Sequence, residues 1–173
     1  IMTESYYHSQ EFEKIDFTNK KMLGKEFDTC VFSSCDFSEV NLGNVVFSDC
    51  EFNICNLSMA KLVNTAFKDV KFIDCKLVGV DFGDCNPFLL EVDFYNCHLN
   101  LASFFKLKLI NTSFSNCSLE EAHFNEANLS NAIFKNCNLN KALFENTNLF
   151  KADFRTATNY SIDPENNFVE KAK

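Results

Sequence analysis

Nine cysteines and three histidines are the side chains of this 173-residue sequence best equipped for chemistry, as nucleophiles, disulfide partners or metal ligands. Their spacing argues against all three uses. Cys30, Cys35, Cys50, Cys55, Cys75, Cys85, Cys97, Cys117 and Cys137 each stand two residues before an apolar residue. Their number is odd, and within the first half they are separated by multiples of five rather than by the short CxxC pairs of zinc sites. Neither a disulfide framework nor a metal cluster fits. Cysteine here reads as a small, polarizable interior residue, and free thiols in such number suit a reducing compartment, hence a cytoplasmic protein. His8, His98 and His123 form no catalytic constellation; a bridge between His98 and His123 is the one conceivable metal site. Gly24, Gly43, Gly79 and Gly83 make neither GxGxxG nor GxxxxGK[ST]. The expectation is a protein that is not an enzyme and holds no metal or cofactor.

What positions the cysteines is a period of five. Counting from Phe12 to Pro87, skipping two residues and resuming at Phe94 through Phe154 gives 29 centres, of which 17 are Phe and 10 Leu, the others being Met22 and Pro87. Helices repeat near 3.6 residues and strands at 2, so a different backbone geometry is required. Repeats this short cannot bury their own apolar residue and must stack on their neighbours in a solenoid. The sequences Ala127-Asn128-Leu129-Ser130-Asn131 and Ala152-Asp153-Phe154-Arg155-Thr156 closely resemble the A-[D/N]-[L/F]-x-x unit of the pentapeptide-repeat family. That resemblance implies an all-β fold, a right-handed quadrilateral parallel β-helix with one pentapeptide per side and 20 residues per coil.

A 20-residue coil makes a test possible within the sequence itself. With the two extra residues placed after Pro87, the first side reads Phe12, Phe32, Phe52, Phe72, Phe94, Phe114, Phe134 and Phe154. On the second side Cys35, Cys55, Cys75, Cys97, Cys117 and Cys137 follow in succession, and on the third Val40, Ala60, Val80, Ala102, Ala122 and Ala142. These columns define the expected core. Stacked like parallel strands ~4.8 Å apart, about seven coils would give a narrow rod ~35 Å long.

A single domain spanning 1–173 is expected: an N-terminal cap at 1–11, coils at 12–87, an interruption at 88–93, further coils at 94–156 and a C-terminal cap segment at 157–173. Proline removes a ladder donor and an insertion must bulge or bend the coil. Tyr6 and Tyr7 suit a cover for the first coil, whereas after Phe154 the pattern dissolves into turn-rich sequence. Ala172-Lys173 then has the form of a new repeat centred on position 174, an expectation that the array continues. Ile1 reads as preceding a native start at Met2.

Candidate partner-contact residues are Phe88, Leu89 and Leu90 of the interruption, together with Ile110 and Phe150, which join Val46, Ala66 and Phe88 in a partly apolar strip on the fourth side. The 24 acidic and 16 basic side chains give a net charge of −8, with a single arginine, Arg155. Direct nucleic-acid binding is therefore not expected, and no segment is apolar enough to span a membrane.

Within the family the chain resembles the Qnr-type quinolone-resistance proteins. The resemblance lies in its irregular start (Glu11-Phe12 and Glu26-Phe27 before Cys30-Val31-Phe32), its Phe- and Cys-rich coils, its single interruption and its final Ile162-Asp163-Pro164. It implies a cytoplasmic protein that binds DNA gyrase or topoisomerase IV and shields it from quinolones, by partial DNA mimicry, with a homodimer formed through the C-terminal end. The alternative is an interaction rod with an unrelated protein partner.

Overall fold

The structure, a computed structural model, describes residues 2–173. Its regular elements are one 3-10 turn, Phe82–Asp84, and eleven short strands: β1 (Tyr6–His8), β2 (Glu11–Glu13), β3 (Glu26–Asp28), β4 (Val31–Ser33), β5 (Val46–Ser48), β6 (Glu51–Asn53), β7 (Ala66–Lys68), β8 (Val70–Ile73), β9 (Val92–Tyr95), β10 (Ser113–Ser115) and β11 (Ile133–Lys135). Every pairing is parallel, and partners are 20 residues apart, as in Phe12↔Phe32, Phe32↔Phe52 and Phe114↔Phe134. Only across the interruption does the step become 22, with Val70 opposite Val92. Isolated bridges carry the same step on the other sides, for example Asp16↔Asp36↔Asn56 and Ser103↔His123↔Leu143. The molecule is an all-β parallel solenoid.

The register is longer than the sequence suggests at both ends. Tyr7 is buried in β1 and stacks on Phe27 at 5.2 Å, so it belongs to the fourth-side column. After Phe154 the 20-residue step persists, with Phe168 bridged to Asn148 and the Lys173 amide donating to the Ala152 carbonyl at 2.9 Å. The sequence signal fades there because the centre positions hold Asn159, Pro164 and Val169; the backbone ladder does not depend on them. Ile162 and Val169 still pack against the core, half-buried.

Each pentapeptide turns a corner two residues beyond its centre. At most corners the residue there adopts left-handed φ, as at Ser34 (54°), Glu39 (59°) and Asn44 (56°), the exceptions including Asn19, Asp84 and Thr156. Two kinds of corner occur around the coil. In one, the amide three residues after the centre donates back to the centre's carbonyl, as Val40 does to Phe37 at 3.1 Å; with φ positive at Glu39 this is a type II turn. In the other that bond is missing, and the free carbonyl accepts a thiol from the next coil: Cys55 Sγ donates to the Phe32 carbonyl at 3.3 Å and Cys75 Sγ to that of Phe52 at 3.3 Å. Eight of the nine cysteines do this, all but Cys85. An unpaired buried carbonyl is costly, so cysteine here is more than a small hydrophobe.

Inside, the first-side rings stack along the axis, with centroids 4.7–5.4 Å apart from Phe12 to Phe154. Phe32, Phe52, Phe72, Phe94, Phe114, Phe134 and the six cysteines of the second-side column are all buried; Phe12, near the rim, is half-buried. Pro87 departs from its sequence assignment: it is exposed rather than a core centre.

Candidate protein-contact surface

At the interruption, three residues stand where the column of Tyr7, Phe27, Phe47 and Phe67 calls for one centre. The Asn86 amide still donates to the Thr65 carbonyl at 2.8 Å, so the coil enters in register. Proline at 87 fixes φ, the Asn86 side chain accepts the Phe88 amide at 3.0 Å, and Leu89 sits at φ 57°. The chain thus bulges outward and returns when Glu91 donates to the Phe67 carbonyl at 3.1 Å and accepts from Val70 at 3.0 Å. Phe88 and Leu89 are left 79% and 69% exposed, whereas Leu90 folds down against the core.

Beside the bulge runs a groove of about 360 Å³ lined by Leu90, Ile110 and Thr112 and by the acidic Asp69, Glu91 and Asp93. Asp93 accepts the Ser113 amide at 2.7 Å, and burial raises its pKa above the usual carboxylate range. Leu90 and Ile110 thus line one groove, at the foot of the bulge that carries Phe88 and Leu89. Phe150 lies elsewhere, two coils beyond Ile110, stacked on Phe168 at 6.1 Å with Lys151 and Lys171 5.1 and 5.8 Å from its ring.

The fourth-side strip is not one column. Val46 and Ala66 precede their centres, and that position beyond the interruption is filled by Lys108, Asn128 and Asn148; Ile110 and Phe150 follow theirs. The error arises from carrying Phe88 into a column that the bulge leaves. Sequence inspection also missed an exposed apolar line on the third side, Leu23, Val63 and Phe105, with Gly43 and Gly83 between them. Reading the position after each third-side centre at 20-residue intervals would have found it.

His98 and His123 fall in separate bridge columns on different sides, and no group of three or more His, Cys, Asp or Glu that could hold a metal occurs among the described residues. No helix among them is long and apolar enough to cross a membrane.

The model of the pentapeptide repeat region matches residues 25–104, 45–124 and 107–163, so the chain belongs to the pentapeptide-repeat family. No curated protein matches it. Among solved structures it is similar to a trypsin-treated form of QnrB1, described as a plasmid-mediated fluoroquinolone resistance protein, at 20% identity over 97% of this chain and 91% of that one (TM-score 0.49). It is similar also to HetL, a pentapeptide repeat protein involved in heterocyst differentiation regulation from the cyanobacterium Nostoc (16% identity, 96% and 86% covered, TM-score 0.47). A third is a pentapeptide repeat protein of the Arabidopsis thaliana thylakoid lumen (22% identity, 69% and 68% covered, TM-score 0.36).

Proposed function

We propose that this chain is a non-enzymatic, cytoplasmic binding protein whose partner is a bacterial type II topoisomerase, DNA gyrase or topoisomerase IV, and that binding shields the enzyme from quinolones. The observation that carries the reading is the bulge at Pro87–Leu90, where an otherwise regular rod presents Phe88 and Leu89 to solvent beside an acidic groove. Large exposed aromatic and aliphatic side chains grouped this way suit a protein contact. The Qnr-type features of the sequence supply the identity of the partner.

Charge density decides how the contact works. Duplex DNA carries about one charge per 1.7 Å of axis, whereas Asp49, Asp69 and Glu91 follow one another once per coil, ~4.8 Å apart. A surface with about a third of the duplex density attracts a DNA-binding cleft without replacing its ligand, so affinity rests on the apolar bulge.

The test is gyrase supercoiling inhibited by ciprofloxacin. Added protein should restore supercoiling, and Phe88→Ala/Leu89→Ala should need about tenfold more protein for the same rescue, with an unchanged melting temperature. Absence of rescue at every concentration rules the reading out. In that case the Leu23–Val63–Phe105 line favours the second reading, a rod that binds an unrelated protein.

A further inference from the structure

At the edge between the fourth and first sides, one column of outward residues changes sign along its length. The residues two beyond the fourth-side centres run Asp49, Asp69 and Glu91, then Asn111 and Asn131, then Lys151 and Lys171. In the neighbouring column, one residue before the first-side centres, stand Glu51, Lys71 and Asp93, then Ser113, then Ile133, Asp153 and Lys173. Counted in coils from the level of Asn111 and Ser113, Asp69 and Lys151 lie two away on opposite sides, and Asp49 and Lys171 three away. Lys71 and Asp153 match in the same way, as do Glu51 and Lys173.

We propose that two copies of the chain associate side by side and antiparallel along this edge, with the two-fold axis passing through the level of Ile110, Asn111 and Ser113. A two-fold axis sets each residue against the one equally far on the other side. Asp69 of one copy then faces Lys151 of the second, Asp49 faces Lys171, Lys71 faces Asp153, and Glu51 faces Lys173. These four pairs carry opposite charges, whereas one coil from the axis Glu91 faces Asn131 and Asp93 faces Ile133, two acids left unmatched. On the axis Ile110, which is exposed, meets its own counterpart, and Lys68 falls opposite Phe150. A parallel two-fold along the Asp49–Asp69 column would set like charges against each other, and sliding by one coil would place Asp69 opposite Asn131 in one direction and Lys71 opposite Lys173 with Asp93 opposite Asp153 in the other.

Asp49, Asp69 and Lys151 make no ion pair within the chain among the described residues; Lys171 touches Glu170 at 3.7 Å. Asp153 is already held by Arg155 at 2.7 Å, so its match with Lys71 contributes least. The contact is a strip about 29 Å long (six coil spacings of ~4.8 Å) and one edge wide. It falls below the ~800 Å² per partner of a standard interface, so association should be weak and strongly dependent on salt.

Sedimentation of the purified chain should show a dimer at about 50 mM salt whose dissociation constant rises at least about tenfold at 500 mM, where exposed charges are screened. The decisive variants are half-swaps. Asp49→Lys/Asp69→Lys leaves Glu91 as the one acid of a column otherwise basic or neutral, and Lys151→Asp/Lys171→Asp removes every base from it. Each alone should be monomeric and melt like the parent, and the two mixed should form a heterodimer. A monomeric parent at low salt overturns the proposal. So does a half-swap that still dimerises, which is the result expected of end-to-end association, or a mixture that stays monomeric. None of these outcomes depends on topoisomerase binding.

Discussion

Before the interruption, aromatic rings fill two adjacent sides: Phe27, Phe47 and Phe67 on the fourth, Phe32, Phe52 and Phe72 on the first. Their planes meet edge to face, as for Phe47 and Phe52 at 5.1 Å and 72°. After it the fourth side holds Leu109, Leu129 and Leu149, and the second aromatic column moves to the third side as Phe104, Phe124 and Phe144, with Phe104 and Phe114 5.6 Å apart at 86°. The corners follow. The four-stranded sheet β1-β3-β5-β7 ends at the interruption, while the seven-stranded sheet on the first side runs through it. Cys30 and Cys50 close the open corners after the early fourth-side strands; in the later coils Ala132 and Ala152 donate to Leu129 and Leu149 at 3.0 and 2.9 Å in bonded turns. Phe124 is likewise followed by a bonded turn at Ala127 (3.1 Å). Cysteine three after a centre can serve a free carbonyl of the neighbouring coil, which alanine cannot, although Cys85 itself stands in a bonded turn.

Phe82 is where one arrangement becomes the other. It starts the third-side aromatic column, stacks on Phe104 at 5.1 Å, and lies tilted at 53° to Phe67, the last ring of the fourth-side column, 6.0 Å away. The bulge removes a core centre beside it, so this ring fills space both blocks share. Phe82→Ala should cost about 3–5 kcal/mol, the usual range for a buried phenylalanine, read from guanidinium unfolding. A loss under about 1 kcal/mol would show that the two blocks are joined by backbone alone.

Thiols offer the next test, because Cys50 sits at an open corner of the first block and Cys85 at the bonded turn after Phe82. Burial pushes both from the ordinary 9.0 up to about 12. At pH 8 neither should react with iodoacetamide until the protein is unfolded. A raised thiol pKa means that the folded state keeps a proton which the unfolded chain gives up. Its stabilising effect is complete below pH 9 and is lost as pH rises from 9 towards 12, by at most about 1.4 kcal/mol per pH unit per thiol. Melting temperatures should hold to pH 9 and then fall. A flat profile to pH 11 would mean these thiols are solvated in the native state.

The inward half of this architecture was readable from sequence because a period of five leaves one large and one small position per side to be filled, and Phe12 to Phe154 fill them almost without exception. Outward features were not, since solvent accepts nearly any residue. The apolar line of Leu23, Val63 and Phe105 shows no local pattern and appears only when residues 20 or 22 apart are aligned. Pro87 illustrates the opposite failure. It kept the five-residue count but could not keep the ladder bond, and the chain left the core one residue earlier than the count implied. The cysteine column was legible as packing, yet its hydrogen bonds depend on which corners lack a turn bond, and that is a property of the backbone.

Corner residues sharpen the contrast at its smallest scale. Two beyond the first-side centres, the first block holds Lys14, Ser34, Ile54 and Asp74, all with left-handed φ; the second holds Asn96, Asn116 and Asn136, also left-handed, with Asn136 donating to the Asn116 side-chain oxygen at 3.1 Å. Left-handed backbone costs an ordinary residue about 1–2 kcal/mol, and asparagine tolerates it best among residues with a side chain. A β-branched residue there is a true outlier, and Ile54, exposed at φ 55°, gains no burial in return. Ile54→Asn should therefore stabilise the protein by about 0.5–1 kcal/mol, and Asn116→Ile should destabilise it by a somewhat larger amount because a side-chain bond is lost as well. Urea unfolding of the two variants measures both. If Ile54→Asn instead lowers stability, the exposed isoleucine is making a contact that its position on the rod does not reveal, and the irregular corners of the first block would be a surface in use rather than tolerated strain.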